Sequence, residues 1–131
     1  MNVFDGISIA QKSFAYADLL GTDKWIVWTP VFGSLTVVGT PTYTGRFKVV
    51  GRQCFFQVTL VSSTSIASVA GTDYLNLPLT AAGLTGMATM TNDTSNVAVG
   101  VCHVDVATSR VYLPTQTASG NTFNIAGTFE V

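Results

Sequence analysis

The chain has 131 residues, 47% of them hydrophobic, with a formal net charge of −1 and a pI of about 5.5. That length suits one domain with its own core, and that charge balance excludes attraction of nucleic acid or an anionic membrane by field alone. Charged residues make up only 10%, against about 25% in an ordinary soluble domain.

Threonine, serine and glycine occupy the positions where lysine and glutamate usually stand. Threonine and valine favour a pleated surface, so the composition points to β-structure. A surface buried between subunits loses charge, most of all at its centre. The low charge therefore predicts an oligomer.

Residues 1–23 carry the helical pattern of the chain. Asp5 suits an N-cap, Ile7, Ala10, Phe14 and Ala17 recur at spacings of three, four and three, and Gly21 suits a C-terminal stop. Phe4 precedes the cap and is placed to pack back on the first turn. Such a stripe packs on its own sheet or docks on a partner. Phe4, Ile7 and Phe14 are the candidate docking or interface residues. The segment lacks a basic start followed by an apolar core, so it does not read as a secretory signal. No run of about 18 apolar residues exists, so membrane insertion is not expected. A soluble protein made in the cytoplasm is the expectation.

From Lys24 the period becomes two. Strands are predicted over 25–31, 34–38, 42–50, 53–62, 64–70 and 74–78, then over 86–91, 97–106, 110–113 and 122–131. Gly39, Gly51-Arg52, Gly71-Thr72-Asp73, Asn92-Asp93 and Ser119-Gly120-Asn121 separate them as turns. Pro30, Pro78 and Pro114 mark strand ends or edges. Cys54, Phe56, Val58 and Leu60 share one face, as do Phe123, Ile125, Gly127 and Phe129. Residues 80–83 read as a loop. Short strands spaced about 8–12 residues apart predict an all-β antiparallel sandwich or jelly roll over 24–131, preceded by the short N-terminal helix or arm. Cys54 and Cys102 look like small buried hydrophobes. Whether they form a bridge is left open.

The series Trp28-Thr-Pro30, Gly39-Thr-Pro-Thr-Tyr43, Gly45-Arg-Phe-Lys-Val-Val-Gly51, Phe55-Phe56 and Leu77-Pro78 resembles the small β domain at the ends of bacteriophage tail-fibre and tail-spike proteins. The likeness covers about residues 25–80. It implies a homotrimeric β-sandwich exposed on a virion, of the kind that recognises a host surface component, commonly a glycan. With about two dozen residues ahead of the β region, it also allows a trimeric capsid decoration protein docked by its N-terminal segment. Either role implies other virion proteins as partners. The expectation is a protein that is not an enzyme, and a small carbohydrate-active enzyme ranks third, behind both virion roles.

The sequence implies no cofactor and assigns no catalytic residue. His103 and Asp105 share a strand face, and an isolated pair falls short of the usual metal-ligand set. No nucleophile elbow accompanies them, and no glycine-rich phosphate loop is present. Glycosidase chemistry needs two flanking carboxyl groups. The seven acids, Asp5, Asp18, Asp23, Asp73, Asp93, Asp105 and Glu130, fall mostly in turns. Asn92-Asp-Thr94 has the form of a glycosylation sequon but reads as a turn. The basic cluster Arg46, Lys48 and Arg52 reads as a solvated strand face. Trp25, Trp28, Tyr43, Tyr74 and Tyr112 are the aromatics able to stack on sugars, and Trp28 reads as structural.

Overall fold

Alternation of apolar and polar residues turns one face of each strand inward, and burial along the chain follows it. The computed structural model describes residues 24–83 and 86–131. The helix expected within 1–23, with Phe4, Ile7 and Phe14, lies outside the described residues. Those residues contain twelve strands and no helix. The strands are β1 (Ile26–Trp28), β2 (Phe32–Gly33), β3 (Thr36–Val38), β4 (Thr42–Val50), β5 (Gln53–Val61) and β6 (Ser65–Ser68). They continue with β7 (Tyr74–Asn76), β8 (Gly86–Asn92), β9 (Val97–Asp105), β10 (Arg110–Tyr112), β11 (Gln116–Ser119) and β12 (Thr122–Glu130). Two of them go beyond the sequence expectation. β2 is too short to show a period, and β11 is a polar run, Gln-Thr-Ala-Ser. β1 is shorter than expected, since Pro30 lacks the N–H that a strand would use.

All pairings are antiparallel. Nine strands form one sheet in the order β1-β4-β5-β12-β8-β9-β10-β7-β2, and β11-β6-β3 form a second. The nine-stranded sheet has to curl. Its edge strands β1 and β2 are joined by only three residues, 29–31. The four Cα steps from Trp28 to Phe32 reach at most about 14 Å. Eight strand spacings laid flat span roughly 38 Å. Curling brings the ends together: Phe32 on β2 meets Tyr43 on β4, with ring centroids 4.8 Å apart. β9 carries the bend. Its first part, Val97 to Cys102, pairs with β8, and its last part, His103 to Asp105, pairs with β10. Thus β1-β4-β5-β12-β8 make one layer and β10-β7-β2 the other, giving a sandwich-like, all-β architecture.

The core fills the space between. Phe56, Phe123 and Phe129 are fully buried with Leu60, Ile125, Val58, Met90, Leu75, Val111 and Leu113. The small sheet closes the core with fully buried Ile66 and half-buried Val37. Trp28 and Pro30 pack over Gly45. A Cβ there would stand 2.6 Å from Trp28 Cε3 and 2.9 Å from Pro30 Cγ. Trp28 also meets Phe47 edge-on at 6.2 Å. The residues behind the family resemblance are therefore, in this part, one packed unit, and Trp28 is structural.

Cys54 and Cys102 are both buried free thiols. Burial pushes each thiol up from 9.0 to about 12. The folded state holds those protons more tightly than the unfolded chain. Stability from this source is therefore complete below about pH 9 and is lost as pH rises toward 12. Denaturant midpoints at pH 8, 9 and 10 are expected to fall in that order. Ellman's reagent is expected to count no thiol in the native protein at pH 8 and two in urea. Rapid native labelling of either cysteine contradicts this.

Candidate functional site

Residues of opposite parity to the core form the outer face of the first layer. One row crosses five strand boundaries: Val27, Arg46, Gln57, Ala126, Thr89 and Val101. The next row is Thr44, Thr59, Asn124, Thr91 and Ala98. Two shallow grooves of about 530 Å³ each lie along these rows. Val27, Thr44, Arg46, Gln57, Thr59 and Asn124 are among the residues lining one. Trp25, Lys48, Phe55, Gln57 and Thr128 are among those lining the other. Gln57 and Ala126 belong to both, so the grooves adjoin as one trough.

The side chains in the trough are tied to one another. The Arg46 guanidinium stands 4.6 Å from the Trp25 ring centroid, and the Lys48 ammonium 5.0 Å. Arg46 Nε donates to Gln57 Oε1 at 2.9 Å. Thr59 Oγ1 donates to Asn124 Oδ1 at 2.6 Å, and Asn124 Nδ2 donates to Asp93 Oδ2. Thr91 Oγ1 donates to Asp93 Oδ1 at 3.2 Å. Polar groups from β4, β5, β12 and the β8–β9 turn therefore form one strip. Among the described residues, neither Arg46 nor Lys48 makes an ion pair, whereas Arg52 stands 3.8 Å from Glu130.

The second layer carries a different outer surface. His103 stacks on Tyr112 with centroids 6.3 Å apart. Tyr112 meets Tyr74 at 5.7 Å, and the Arg110 guanidinium lies 4.0 Å from the Tyr74 centroid. His103, Tyr112 and Tyr74 stand in register across β9, β10 and β7, and Arg110 lies two residues before Tyr112 on β10. The bend between the layers exposes large apolar side chains: Met87 is 75% and Val101 77% exposed.

The aromatics able to stack on sugars thus divide. Trp28 and Tyr43 pack inside, against Phe47 and Phe32, while Tyr74 and Tyr112 meet each other edge-on. Trp25 alone of the five borders the trough. His103 and Asp105 share a face but do different work. Asp105 accepts from Thr108 Oγ1 at 2.7 Å and from the Ala107 N–H at 3.1 Å, which shapes the β9–β10 turn. The bond from Thr108 is the main cause holding its carboxyl below the usual range. The other described acids are likewise occupied. Asp73 is buried and accepts from the Val69 N–H at 2.8 Å, Asp93 serves Asn124 and Thr91, and Glu130 faces Arg52. Asn92 Oδ1 accepts from the N–H groups of Thr94 and Ser95, both at 3.1 Å, so the sequon is a side-chain-capped turn. Among the described residues no group of three or more His, Cys, Asp or Glu is placed to hold a metal ion. No helix among them is long and apolar enough to cross a membrane.

Sequence reasoning missed Gln57, Thr59 and Asn124 as site residues. Their polar period of two in β5 and β12 was visible, but the register that aligns them across strands was not. Comparison of the chain with protein-family models, curated proteins and solved structures found no match.

Proposed function

We propose that the protein is a structural and adhesive subunit of a bacteriophage virion, of tail-fibre type, acting as a homotrimer at an exposed site. One observation carries the assembly: Met87 and Val101 stand exposed on neighbouring strands of a sheet poor in ions. Thr89 opposite Val101, and Ala98 further along β9, add no charge to that margin. Large apolar side chains exposed on adjacent strands mark an interaction site, and three copies about one axis would bring this margin of each together. The series from Trp28 to Pro78 supplies the virion assignment. The trough runs from β4 to β12, where Thr128 stands opposite Met87. Its Arg46 and Lys48 end lies on β4, three strands from β8, so self-association at the bend leaves that end open for a host glycan.

Light scattering is expected to give about three times the 13.8 kDa chain mass. Met87→Lys with Val101→Lys places two cations on the margin. Both positions face solvent in the subunit, so the fold survives, and the mass is expected to fall to that of one chain. A monomeric wild type, or a double variant that stays trimeric, removes the interface. Immunogold labelling of particles is expected at the tail. Label confined to the head makes the protein a decoration subunit instead, and absence of label removes the virion role.

A further inference from the structure

The trough concentrates positive charge in a chain whose net charge is negative. Arg46 and Lys48 are two of only six lysines and arginines, and both line it. Among the described residues, no aspartate or glutamate lines either groove. The first acid along the strip is Asp93, already bonded to Asn124 and Thr91. The two cations are held against Trp25 and share no carboxylate among the described residues.

The local chemistry suits an anion carried on a hydroxyl-rich body. A guanidinium has five N–H donors in a planar fork. Arg46 gives its Nε–H to Gln57, which fixes the plane and leaves the Nη edge for a carboxylate in bidentate contact. Gln57, Thr59, Thr44 and Asn124 supply donors and acceptors further along. They are half-buried or exposed and evenly spaced by the strand repeat. A polynucleotide, with a phosphate at every unit, would meet only two cations and then the Asp93 carboxylate.

We propose that this trough binds an oligosaccharide bearing a carboxylate. The acidic sugar sits at the β1–β4 end against Arg46 and Lys48, and the following sugar hydroxyls meet Gln57, Thr59 and Asn124. The Asp93 carboxylate disfavours a second acid at the far end, so polarity along the trough is set by charge. This deepens the adhesive reading and rests on it.

The test is a glycan array carrying neutral, carboxylated and phosphorylated oligosaccharides, probed with the labelled full-length protein. Retention is expected on carboxylated glycans only, and it is expected to weaken as salt rises from 50 to 500 mM, since exposed charges are screened. Arg46→Gln with Lys48→Gln is expected to weaken binding at least ten-fold, with circular dichroism and oligomer mass unchanged. Retention of neutral glycans as strong as that of acidic ones, retention of phosphorylated glycans alone, or undiminished binding by the double variant overturns the assignment. An empty array from a trimer that labels virions removes the trough as a site and leaves the virion role standing. Acidic-glycan retention by a protein that labels no virion supports the trough and removes the virion role.

Discussion

Phe129→Ala is expected to lower stability by about 3–5 kcal/mol. Phe129 is fully buried on β12 and pairs in register with Cys54 on β5 and Gly86 on β8. Its ring lies 5.9 Å from that of Phe56, tilted by 55°. Truncation removes the apolar contacts and leaves a cavity between the two layers that rigid strands on either side cannot close. Domains of this size are stable by only about 5–15 kcal/mol, so the loss is a large share of the total. Thermal unfolding is expected to move down by roughly 10–25 °C. Phe55→Ala is the control. Phe55 is next to Phe56 but on the outer face and half-buried, so its truncation is expected to cost about 1 kcal/mol. Equal losses at the two positions contradict the assignment of inner and outer faces.

Gly127→Val is expected to be at least as damaging by the opposite route, adding atoms where no space exists. Gly127 sits mid-strand between Phe56 on β5 and Ala88 on β8. A Cβ on it would lie 2.6 Å from Ala88 Cβ and 2.8 Å from Ala88 Cα, and it would also strike the Met87 carbonyl oxygen. Two of these three obstacles are backbone, so a side-chain rotamer cannot clear them. Gly127→Ala is expected to cost about 1–3 kcal/mol, in the range of overpacked cores. The branched valine is expected to force β8 away from β12 and leave little native protein in denaturant titrations. Ala126→Val, one residue earlier on the exposed face, is expected to be close to neutral. A stable Gly127→Val variant contradicts the close approach of these strands.

The two predictions separate what a residue's type says from what its position says. Phe129 reads as core from the alternation Phe123, Ile125, Gly127, Phe129. Gly127 reads from the same alternation only as an inward position. The contact that forbids a side chain comes from β8, more than thirty residues earlier. The trough has the same character. Arg46 and Lys48 were legible as neighbours on a strand face, and they are that. Their approach to Trp25, and the line from Gln57 through Asn124 to Asp93, depend on pairings between β4, β5, β12 and β8 that sequence spacing does not encode. The basic cluster read as Arg46, Lys48 and Arg52 divides for the same reason: Arg52 lies beyond the hairpin turn, near Glu130 at the end of β12.

Sequence by itself determined that this chain is all-β from Lys24 onward, which side chains turn inward, and where most turns fall. Those properties follow from a local repeat of two residues and from the backbone demands of glycine, proline and asparagine. Tertiary structure alone decided that three residues between β1 and β2 bend nine strands into two layers. It also left both cysteines as separate thiols and aligned cations and amides along one outer trough. These outcomes depend on which distant strands pair and in what register, and a register is chosen by the whole core at once.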